Sequence, residues 1–407
     1  MSRADEPASS SQPKKEGSAP ATAADLSDLG PPAANLRKAE ETVTYPFSDQ
    51  TRFYEHPEPI RLENGQMLEG VQVGYRTWGE PRAEAILICH ALTGSADADE
   101  WWGGLFGSTR SFDPERDFIV ASNVLGGCYG TTGPTSTRPG ADRWYGRDFP
   151  RITIRDMVDL QAVLLDHLGV ESLRLVIGGS MGGMQALEWA AMYPERVNGG
   201  VAIGVGANHS AWSVAFSEAQ RAAIWADPRF LDGAYDPDEG PDSGLAVARM
   251  IAMISYRGKA NFETRFGRRT VEDEFEIRSY LRHQGQKLVG RFDANTYLRL
   301  VDAMDSHDLA RGRGEMDQVL AGLKTPFLTV GISSDILYPA TEVEELAGGL
   351  PNARYQMLHA AQGHDSFLIE MANLDGIVTR FKNDLARGIT PADDFAAGTG
   401  RGASWAF

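Results

Sequence analysis

Cysteine and long apolar runs are scarce in this 407-residue chain. Its only cysteines are Cys89 and Cys128, which is too few for a disulfide-stabilised secreted domain and favours a reducing compartment. No stretch approaches the ~18 consecutive apolar residues of a membrane-spanning helix, and the N-terminal region has no apolar segment of the signal-peptide kind. The sequence therefore predicts a cytoplasmic protein with no membrane partner.

Positive charge is scarce as well, because 39 lysines and arginines stand against 56 aspartates and glutamates, a formal net charge of −17. This balance argues against nucleic acid or an anionic membrane as the main partner, although locally placed arginines would still suit an anionic substrate. The 8 histidines do not cluster with cysteine or carboxylates at ligand spacing, and the H-E-x-x-H pattern is absent. We therefore expect no metal and no bound cofactor.

The composition divides the chain into a few segments. The N-terminal part is rich in Ser, Ala and Pro and has no aromatic residue before Tyr45, as expected of a disordered tail. Strands and helices then alternate, which predicts a mostly parallel α/β sheet, and a long stretch with helical patterns interrupts the alternation. The predicted segments are a disordered tail at residues 1–44, a sheet domain at 45–206 and 324–388, a helical lid at 207–323, and a loose C-terminal tail at 389–407.

The pattern around Ser180 is the most informative one in the chain. Residues 173–177 (LRLVI) predict a buried strand, and residues 184–190 have the apolar spacing of a helix packed on a sheet. Between them, residues 178–182 (GGSMG) fit G-x-S-x-G, whose glycines allow a strained serine backbone and a close approach of strand and helix. This context predicts a nucleophilic serine, and the alternative is a glycine-rich turn with an incidental serine.

Two residues with the chemistry of triad partners follow later in the chain. Asp335 comes just after a predicted strand at residues 326–332, and His364 comes just after another at residues 353–358. The order Ser180, Asp335, His364 is that of α/β-hydrolases rather than of chymotrypsin or subtilisin. Three such residues at the carboxyl ends of strands predict a nucleophile, an acid that orients the base, and a general base.

An acyl-transferring serine also needs backbone N–H groups that stabilise the oxyanion. One donor is the residue after the nucleophile, here Met181. The other belongs to the loop after the sheet's third strand, residues 90–95 (HALTGS), where we assign Leu92. That loop alone is equally compatible with a helix cap by Thr93 or Ser95. The residues themselves therefore predict a serine acyl hydrolase or acyltransferase.

Several segments of the chain resemble the homoserine O-acetyltransferase family. They follow the family's order over roughly residues 45–385, and several are long enough to be specific. The matching segments are 89–95 (CHALTGS), 123–134, 149–158 (FPRITIRDMV), 178–185 (GGSMGGMQ), 244–249 (GLAVAR), 291–294 (RFDA), 334–339 (SDILYP) and 363–365 (GHD). The resemblance implies an α/β-hydrolase fold with an inserted helical lid, and it identifies Ser180, Asp335 and His364 as the triad.

The resemblance also implies where the acceptor binds. Homoserine is a zwitterion, so a transferase has to hold a carboxylate and an ammonium group close to the acyl-serine. Arg249 matches the family's carboxylate-binding arginine, a task that suits a guanidinium. Asp365 matches a substrate-binding aspartate suited to the ammonium, and Tyr256 matches a substrate-contacting tyrosine. The alternatives are an arginine in a surface salt bridge, a helix-capping aspartate and a core tyrosine.

The predicted reaction transfers acetyl from acetyl-CoA to L-homoserine by a ping-pong route, giving O-acetyl-L-homoserine for methionine biosynthesis. The family also implies a homodimer that associates through lid helices. A succinyl- or serine-specific relative, and more remotely a plain esterase or thioesterase, would share the fold. Arg249 and Asp365 argue against the esterase, because water needs no zwitterion site. The complete triad argues against a non-catalytic binding protein.

Overall fold

The computed structural model describes residues 47–396, so the predicted tail at 1–44 and residues 397–407 lie outside the described part. The strands are β1 (Arg52–Glu55), β2 (Ile60–Arg61), β3 (Met67–Leu68), β4 (Gln72–Trp78), β5 (Glu84–Cys89), β6 (Phe118–Ser122), β7 (Ser172–Gly179), β8 (Gly200–Ile203), β9 (Thr270–Val271), β10 (Glu274–Phe275), β11 (Phe327–Ile332) and β12 (Ala353–Leu358). The α-helices are α1 (Ala98–Trp101), α2 (Ile154–His167), α3 (Met181–Met192), α4 (Ala211–Trp225), α5 (Asp242–Tyr256), α6 (Lys259–Arg265), α7 (Glu276–Val289), α8 (Ala294–Asp305), α9 (Met316–Gly322), α10 (Ala340–Gly349), α11 (Ser366–Ile369), α12 (Met371–Ala386) and α13 (Pro391–Ala396).

One large sheet forms the centre of the molecule, with the strand order β1-β4-β6-β5-β7-β8-β11-β12. Neighbours from β6 to β12 run parallel, whereas β4 pairs antiparallel with both β6 and β1 at one edge. Every residue of β6 and β11 is buried, because α2, α3 and α10 cover one face of the sheet and α1, α11 and α12 cover the other. The prediction of a mostly parallel α/β sheet is confirmed.

The stretch predicted as a lid, residues 207–323 (the lid segment), lies between β8 and β11 and contains α4 to α9. Helix α5 packs between α4 and α7. The segment also contains a short hairpin, β9–β10, which sequence patterns did not indicate because each of its strands has only two residues and neither is buried. Helices α6 and α9, each of 7 residues, were equally undetected.

A buried carboxylate anchors the end of the lid segment to the sheet domain. Glu188 of α3 pairs with Arg155 of α2 at 3.2 Å and with Arg313 at 2.6 Å. Arg155 also donates to the carbonyl oxygens of Asp308 at 3.2 Å and Arg311 at 2.7 Å. Because Glu188 is nearly inaccessible to solvent, removal of its arginine partners would leave a buried charge unpaired, which is strongly destabilising.

Residues 391–396, within the segment predicted as a loose C-terminal tail, form the helix α13. Thr390 begins this helix, because its N–H and its hydroxyl donate to Asp393 Oδ2 at 2.6 and 2.9 Å. A proline in the first helical position needs no N–H acceptor. The Ala392 N–H also donates to Asn352 Oδ1 at 2.9 Å, which ties the helix to the end of the sheet.

Candidate active site

Ser180 lies in the turn between β7 and α3 with φ 55° and ψ −126°, a strained backbone for a residue other than glycine. Its neighbours leave no room for side chains. A Cβ on Gly178 would lie 2.3 Å from the carbonyl carbon of Gly182, and one on Gly182 would lie 2.1 Å from the Cys89 oxygen. A Cβ on Gly179 would lie 2.6 Å from the Phe367 ring. The glycines therefore permit the close packing that holds Ser180 at the end of the strand.

Asp335 and His364 form a buried hydrogen-bonded pair in the loops after β11 and β12. His364 Nδ1 and Asp335 Oδ2 are 2.6 Å apart. The other oxygen, Oδ1, accepts from the N–H groups of Leu337 at 2.8 Å and Tyr338 at 3.0 Å, so both oxygens are engaged in hydrogen bonds. The Nδ1–H then donates to Asp335, and the lone pair on His364 Nε2 is left to act as a base.

His364 Nε2 is buried and has no hydrogen-bond partner among residues 47–396. Burial alone would lower the pKa of His364, but the charge and the hydrogen bond of Asp335 more than offset it, so the pKa lies above the usual histidine value. The Asp335 carboxylate thus favours the protonated imidazolium, as a base that passes through that state requires.

The three residues meet around the carboxyl end of β8. The Ser180 N–H donates to the Ile203 oxygen at 2.9 Å. The next residue, Gly204, has φ +56°, and a Cβ on it would lie 3.2 Å from His364 Cε1 and 3.4 Å from Asp335 Oδ2. Gly204 therefore lies directly beneath the histidine–aspartate pair. Sequence reasoning missed its role, because only the folded sheet brings it to that pair.

Aromatic rings surround the imidazole. The ring centroids of Tyr338, Phe367 and Tyr256 lie 5.4, 5.6 and 5.8 Å from that of His364. Such walls keep water away from the base and strengthen electrostatic interactions inside the site. Burial raises the pKa of Tyr256 to about 12, so this phenol is neutral at pH 7.

The two predicted oxyanion donors are both buried and both free to donate. Met181 is the first residue of α3, and the N–H groups of a first helical turn have no acceptor within the helix. Leu92 lies in the loop that follows β5. Within the described part of the chain, no acceptor is bonded to the N–H of either residue. A free N–H directly after the serine and a buried loop N–H without an acceptor are the kinds of donor that an oxyanion site uses.

Arg249 and Tyr256, the predicted substrate residues of α5, contact each other. The Arg249 guanidinium carbon lies 5.5 Å from the centroid of the Tyr256 ring, an arrangement that stabilises the cation. No described carboxylate lies within ion-pair distance of Arg249, which leaves its charge available to an anion.

Asp365 directly follows His364, the candidate catalytic histidine. Its backbone N–H donates to the backbone carbonyl oxygen of Tyr256 at 3.1 Å. Its carboxylate pairs with Arg257 Nη2 at 3.3 Å. Burial raises the pKa of Asp365, while the charges of Arg257 and Arg249 lower it, and the net shift is upward. Sequence reasoning missed Arg257, whose only signal was its position next to Tyr256.

The end of α5 and the histidine loop touch backbone to backbone. A Cβ on Gly363 would lie 2.4 Å from the Gly258 nitrogen, and one on Gly258 would lie 2.6 Å from the Ala361 oxygen. Two glycines therefore allow the lid segment to meet the loop that carries His364. The contact holds the charged side chains of α5 beside the triad candidates.

A strained serine, a buried histidine–aspartate pair and free N–H donors suit acyl transfer through a covalent intermediate. The fold and this arrangement are those of the α/β-hydrolase class. In agreement, a family model described as alpha/beta hydrolase fold matches residues 84–370. Within the described residues, no helix is long and apolar enough to cross a membrane, and no group of His, Cys, Asp and Glu has the arrangement of a metal site.

Curated relatives identify the family more closely. The homoserine O-acetyltransferase of Nostoc punctiforme is 56% identical over 341 residues, which are 82% of this chain and 96% of the relative. That of Chlorobaculum tepidum is 56% identical over 343 residues, 83% of this chain and 96% of the relative. The homoserine O-acetyltransferase of Salinibacter ruber is 46% identical over 341 residues, which are 81% of this chain and 97% of the relative. The chain belongs to the homoserine O-acetyltransferase family, as its sequence segments predicted.

Solved structures agree with this assignment to a fold. The structure of the homoserine O-acetyltransferase of Bacillus anthracis matches with a TM-score of 0.77 at 25% identity. The match covers 82% of this chain and 97% of that protein's chain. The structure of esterase E22 matches with a TM-score of 0.76 at 28% identity, over 82% of this chain and 99% of the esterase chain. The same architecture therefore occurs both in an acetyltransferase and in an esterase.

Proposed function

We propose that this chain transfers acetyl from acetyl-CoA to the hydroxyl of L-homoserine through an acetyl ester on Ser180. The observation that carries the proposal is an unpaired Arg249 that packs on the Tyr256 ring, which in turn lies 5.8 Å from the ring of His364. The names of the curated relatives support the same donor and acceptor. We assign Ser180 as nucleophile and His364 as general base.

In the first half-reaction, Ser180 Oγ attacks the thioester carbonyl carbon while its proton passes to His364 Nε2. The new C–O bond makes a tetrahedral adduct, whose oxyanion accepts from the N–H groups of Leu92 and Met181. Asp335 stabilises the imidazolium. When the adduct collapses, the C–S bond breaks, the CoA sulfur takes the proton from His364, and acetyl-Ser180 remains.

In the second half-reaction, the homoserine hydroxyl gives its proton to His364 and attacks the acetyl carbon. The same N–H donors stabilise the second oxyanion, the bond to Ser180 Oγ breaks, and Oγ regains a proton. Every proton taken up in one half-reaction is returned, so no further reactant is required. O-acetyl-L-homoserine and CoA are the products.

The acceptor is oriented by charge. The Arg249 guanidinium binds the carboxylate of homoserine, with Tyr256 stacked beneath it. The Asp365 carboxylate binds the ammonium group, and the charge of Arg257 opposes the rise in its pKa that burial causes. Because Asp365 adjoins His364, a bound amino acid presents its side-chain hydroxyl towards the imidazole.

Esterase activity is the second candidate, since esterases share this architecture at up to 28% identity. In that reaction water replaces homoserine at acetyl-Ser180, and neither Arg249 nor Asp365 would be needed. A succinyl donor or a serine acceptor would change the pocket and leave the triad chemistry intact. The charged pair beside His364 favours an amino-acid acceptor.

Release of the CoA thiol from acetyl-CoA and from succinyl-CoA, each with L-homoserine, with L-serine and with no amino acid, tests the proposal. We expect release that requires both acetyl-CoA and homoserine, and its loss in Ser180→Ala. Fast release without any amino acid would establish the hydrolase instead. Preference for succinyl-CoA or for serine would rename the substrate within the same mechanism.

We also propose a homodimer that associates through the lid segment. Large apolar side chains are exposed on two of its helices, Trp212 and Trp225 on α4 and Ile254 on α5, and such surfaces commonly lie in protein interfaces. Light scattering during gel filtration should give twice the chain mass, and a monomer would contradict the proposal. The free thiols of Cys89 and Cys128 support our assignment to a reducing, cytoplasmic compartment.

A further inference from the structure

A chain of buried amide groups connects α2 with α3 behind the serine turn. Trp189 Nε1 donates to Gln161 Oε1 at 2.7 Å, and Gln161 Nε2 donates to Gln185 Oε1 at 2.7 Å. The side chains of Trp189 and Gln185 are fully buried, and that of Gln161 is nearly so. The proposed acyl transfer uses none of these polar groups.

The direction of this chain follows from chemistry alone. An indole N–H can only donate, so Gln161 must turn its oxygen to Trp189 and its nitrogen to Gln185. Gln185 therefore accepts the hydrogen bond from Gln161 on Oε1, and its Nε2 points away from Gln161. The tryptophan thus determines which atom of Gln185 faces the active site.

The nitrogen of Gln185 meets the two backbone segments that carry the proposed oxyanion donors. It donates to the His90 oxygen at 3.2 Å and to the Met181 oxygen at 3.1 Å. His90 opens the loop that continues to Leu92, and Met181 directly follows the nucleophile. One amide group therefore joins the loop after β5 to the first turn of α3.

We propose that Gln185, oriented by Gln161, is a positioning residue that sets the separation of the Leu92 and Met181 N–H groups; this inference rests on the proposed acyl chemistry at Ser180. The two donors belong to segments that are distant in sequence, and no covalent constraint fixes their spacing. A hydrogen-bonded bridge with both ends defined supplies that constraint.

His90 completes the support of the same loop. Its Nδ1 donates to the Ala91 oxygen at 2.8 Å, and its Nε2 accepts from the Val124 N–H at 3.1 Å. Burial lowers the pKa of His90 to about 4, so the ring stays neutral and keeps one donor and one acceptor. The loop after β5 is therefore fixed by two groups of hydrogen bonds, those of the His90 ring and the one from Gln185 Nε2 to the His90 carbonyl oxygen.

An apolar side chain would fill the position of Gln185 without the desolvation that a buried amide requires. If the amide served packing alone, its replacement would alter the free energy of unfolding and leave the acylation rate intact. If it spaces the donors, the transition state loses stabilisation while ground-state binding of the substrate persists. These two roles give different kinetic results.

The test compares Gln185→Met, which keeps the length and loses the hydrogen bonds, with Met184→Leu, a buried change at the neighbouring position of α3. Stopped-flow measurement of the nitrophenolate burst from 4-nitrophenyl acetate reports acylation of Ser180. We expect the burst rate constant of Gln185→Met to fall by about 10- to 100-fold, with KM for acetyl-CoA changed by less than about 3-fold. Met184→Leu should stay within about 2-fold of the unmodified protein on both measures.

A trifluoromethyl ketone, which forms a tetrahedral adduct with an active serine, gives a second readout. Its affinity should fall by the same factor as the burst rate in Gln185→Met, because adduct and transition state share the oxyanion. Gln161→Met, one bond further away, should show a smaller loss of the same kind, and it replaces Gln185→Met if that variant does not fold.

An unchanged burst rate in the folded Gln185 and Gln161 variants would overturn the inference, whatever happens to their melting temperatures. A burst in the unmodified protein together with that result would leave the proposed function standing. An unmodified protein that releases neither nitrophenolate nor CoA thiol, in a burst or at steady state, would refute the acyl-serine chemistry and the inference with it.

Discussion

Replacement of Gly204 by alanine tests whether the glycine at the end of β8 is there to make room for the histidine–aspartate pair. The new Cβ would lie 3.2 Å from His364 Cε1 and 3.3 Å from His364 Nδ1. Contacts this short force the imidazole to move by a few tenths of an ångström. Gly169→Ala is the matched control, because Gly169 has a similar φ of +70° and no atom within 4 Å of its Cβ.

Both substitutions place alanine in the left-handed region, which costs about 1–2 kcal/mol of folding free energy. Only Gly204→Ala should also reduce kcat. A misplacement of 1 Å costs about 100-fold, so a shift of a few tenths of an ångström should cost roughly 3- to 10-fold. KM for acetyl-CoA should change little, because the donor's remote contacts are untouched.

Urea unfolding measures the common backbone cost, and CoA release with homoserine at saturation measures kcat. The difference between the two variants isolates the contact with His364 from the strain of the backbone. If Gly204→Ala retained full kcat at the same loss of stability as Gly169→Ala, the reasoning from close packing to imidazole position would be refuted.

Three further changes probe the charges around the triad. Arg249→Lys keeps the positive charge but loses bidentate bonding, so KM for homoserine should rise about 10-fold or more while the nitrophenolate burst stays normal; an altered burst would contradict a role confined to the acceptor. Arg257→Gln removes a cation that lowers the pKa of Asp365, so this pKa rises further. Because the ammonium binds the ionised carboxylate, which is lost as pH falls through its pKa, homoserine binding should begin to weaken at a higher pH than without the change; calorimetry in a Ser180→Ala background measures this without catalysis by His364, and an unmoved binding curve would contradict the pairing. Asp335→Asn leaves His364 without its anionic partner and should reduce kcat by roughly 1,000- to 10,000-fold in CoA release, and a loss of only a few-fold would argue against a triad.

Local sequence patterns sufficed for the sheet and for the positions of the candidate triad. The strands predicted before Asp335 and His364 end where β11 and β12 end, and the apolar run predicted before Ser180 lies within β7 but ends two residues before it. β11 and most of β7 are buried, so their composition alone marks them, whereas β12 is an edge strand whose middle residues are only partly buried. A polar residue that follows such a strand is then predicted to lie at the carboxyl edge of the sheet.

Contacts between distant segments could not be predicted in this way. The pairing of Arg257 with Asp365, the place of Gly204 under His364 and the bridge from Gln185 to the His90 carbonyl each depend on how separate loops meet. The periodicity of apolar residues in a sequence carries no information about contacts between loops. The segment boundaries and the roles of the candidate site residues accordingly stay predictions for the experiments described above.

The backbone contact between Gly258 and Gly363 has a mechanical consequence. It packs the end of α5, which carries the proposed acceptor-binding residues, directly against the loop of His364, the proposed base. Helices α7 to α9 lie beyond this contact in the chain. Under the proposed function, a change in these helices that alters the donor pocket would leave the contact between the acceptor-binding residues and the His364 loop in place.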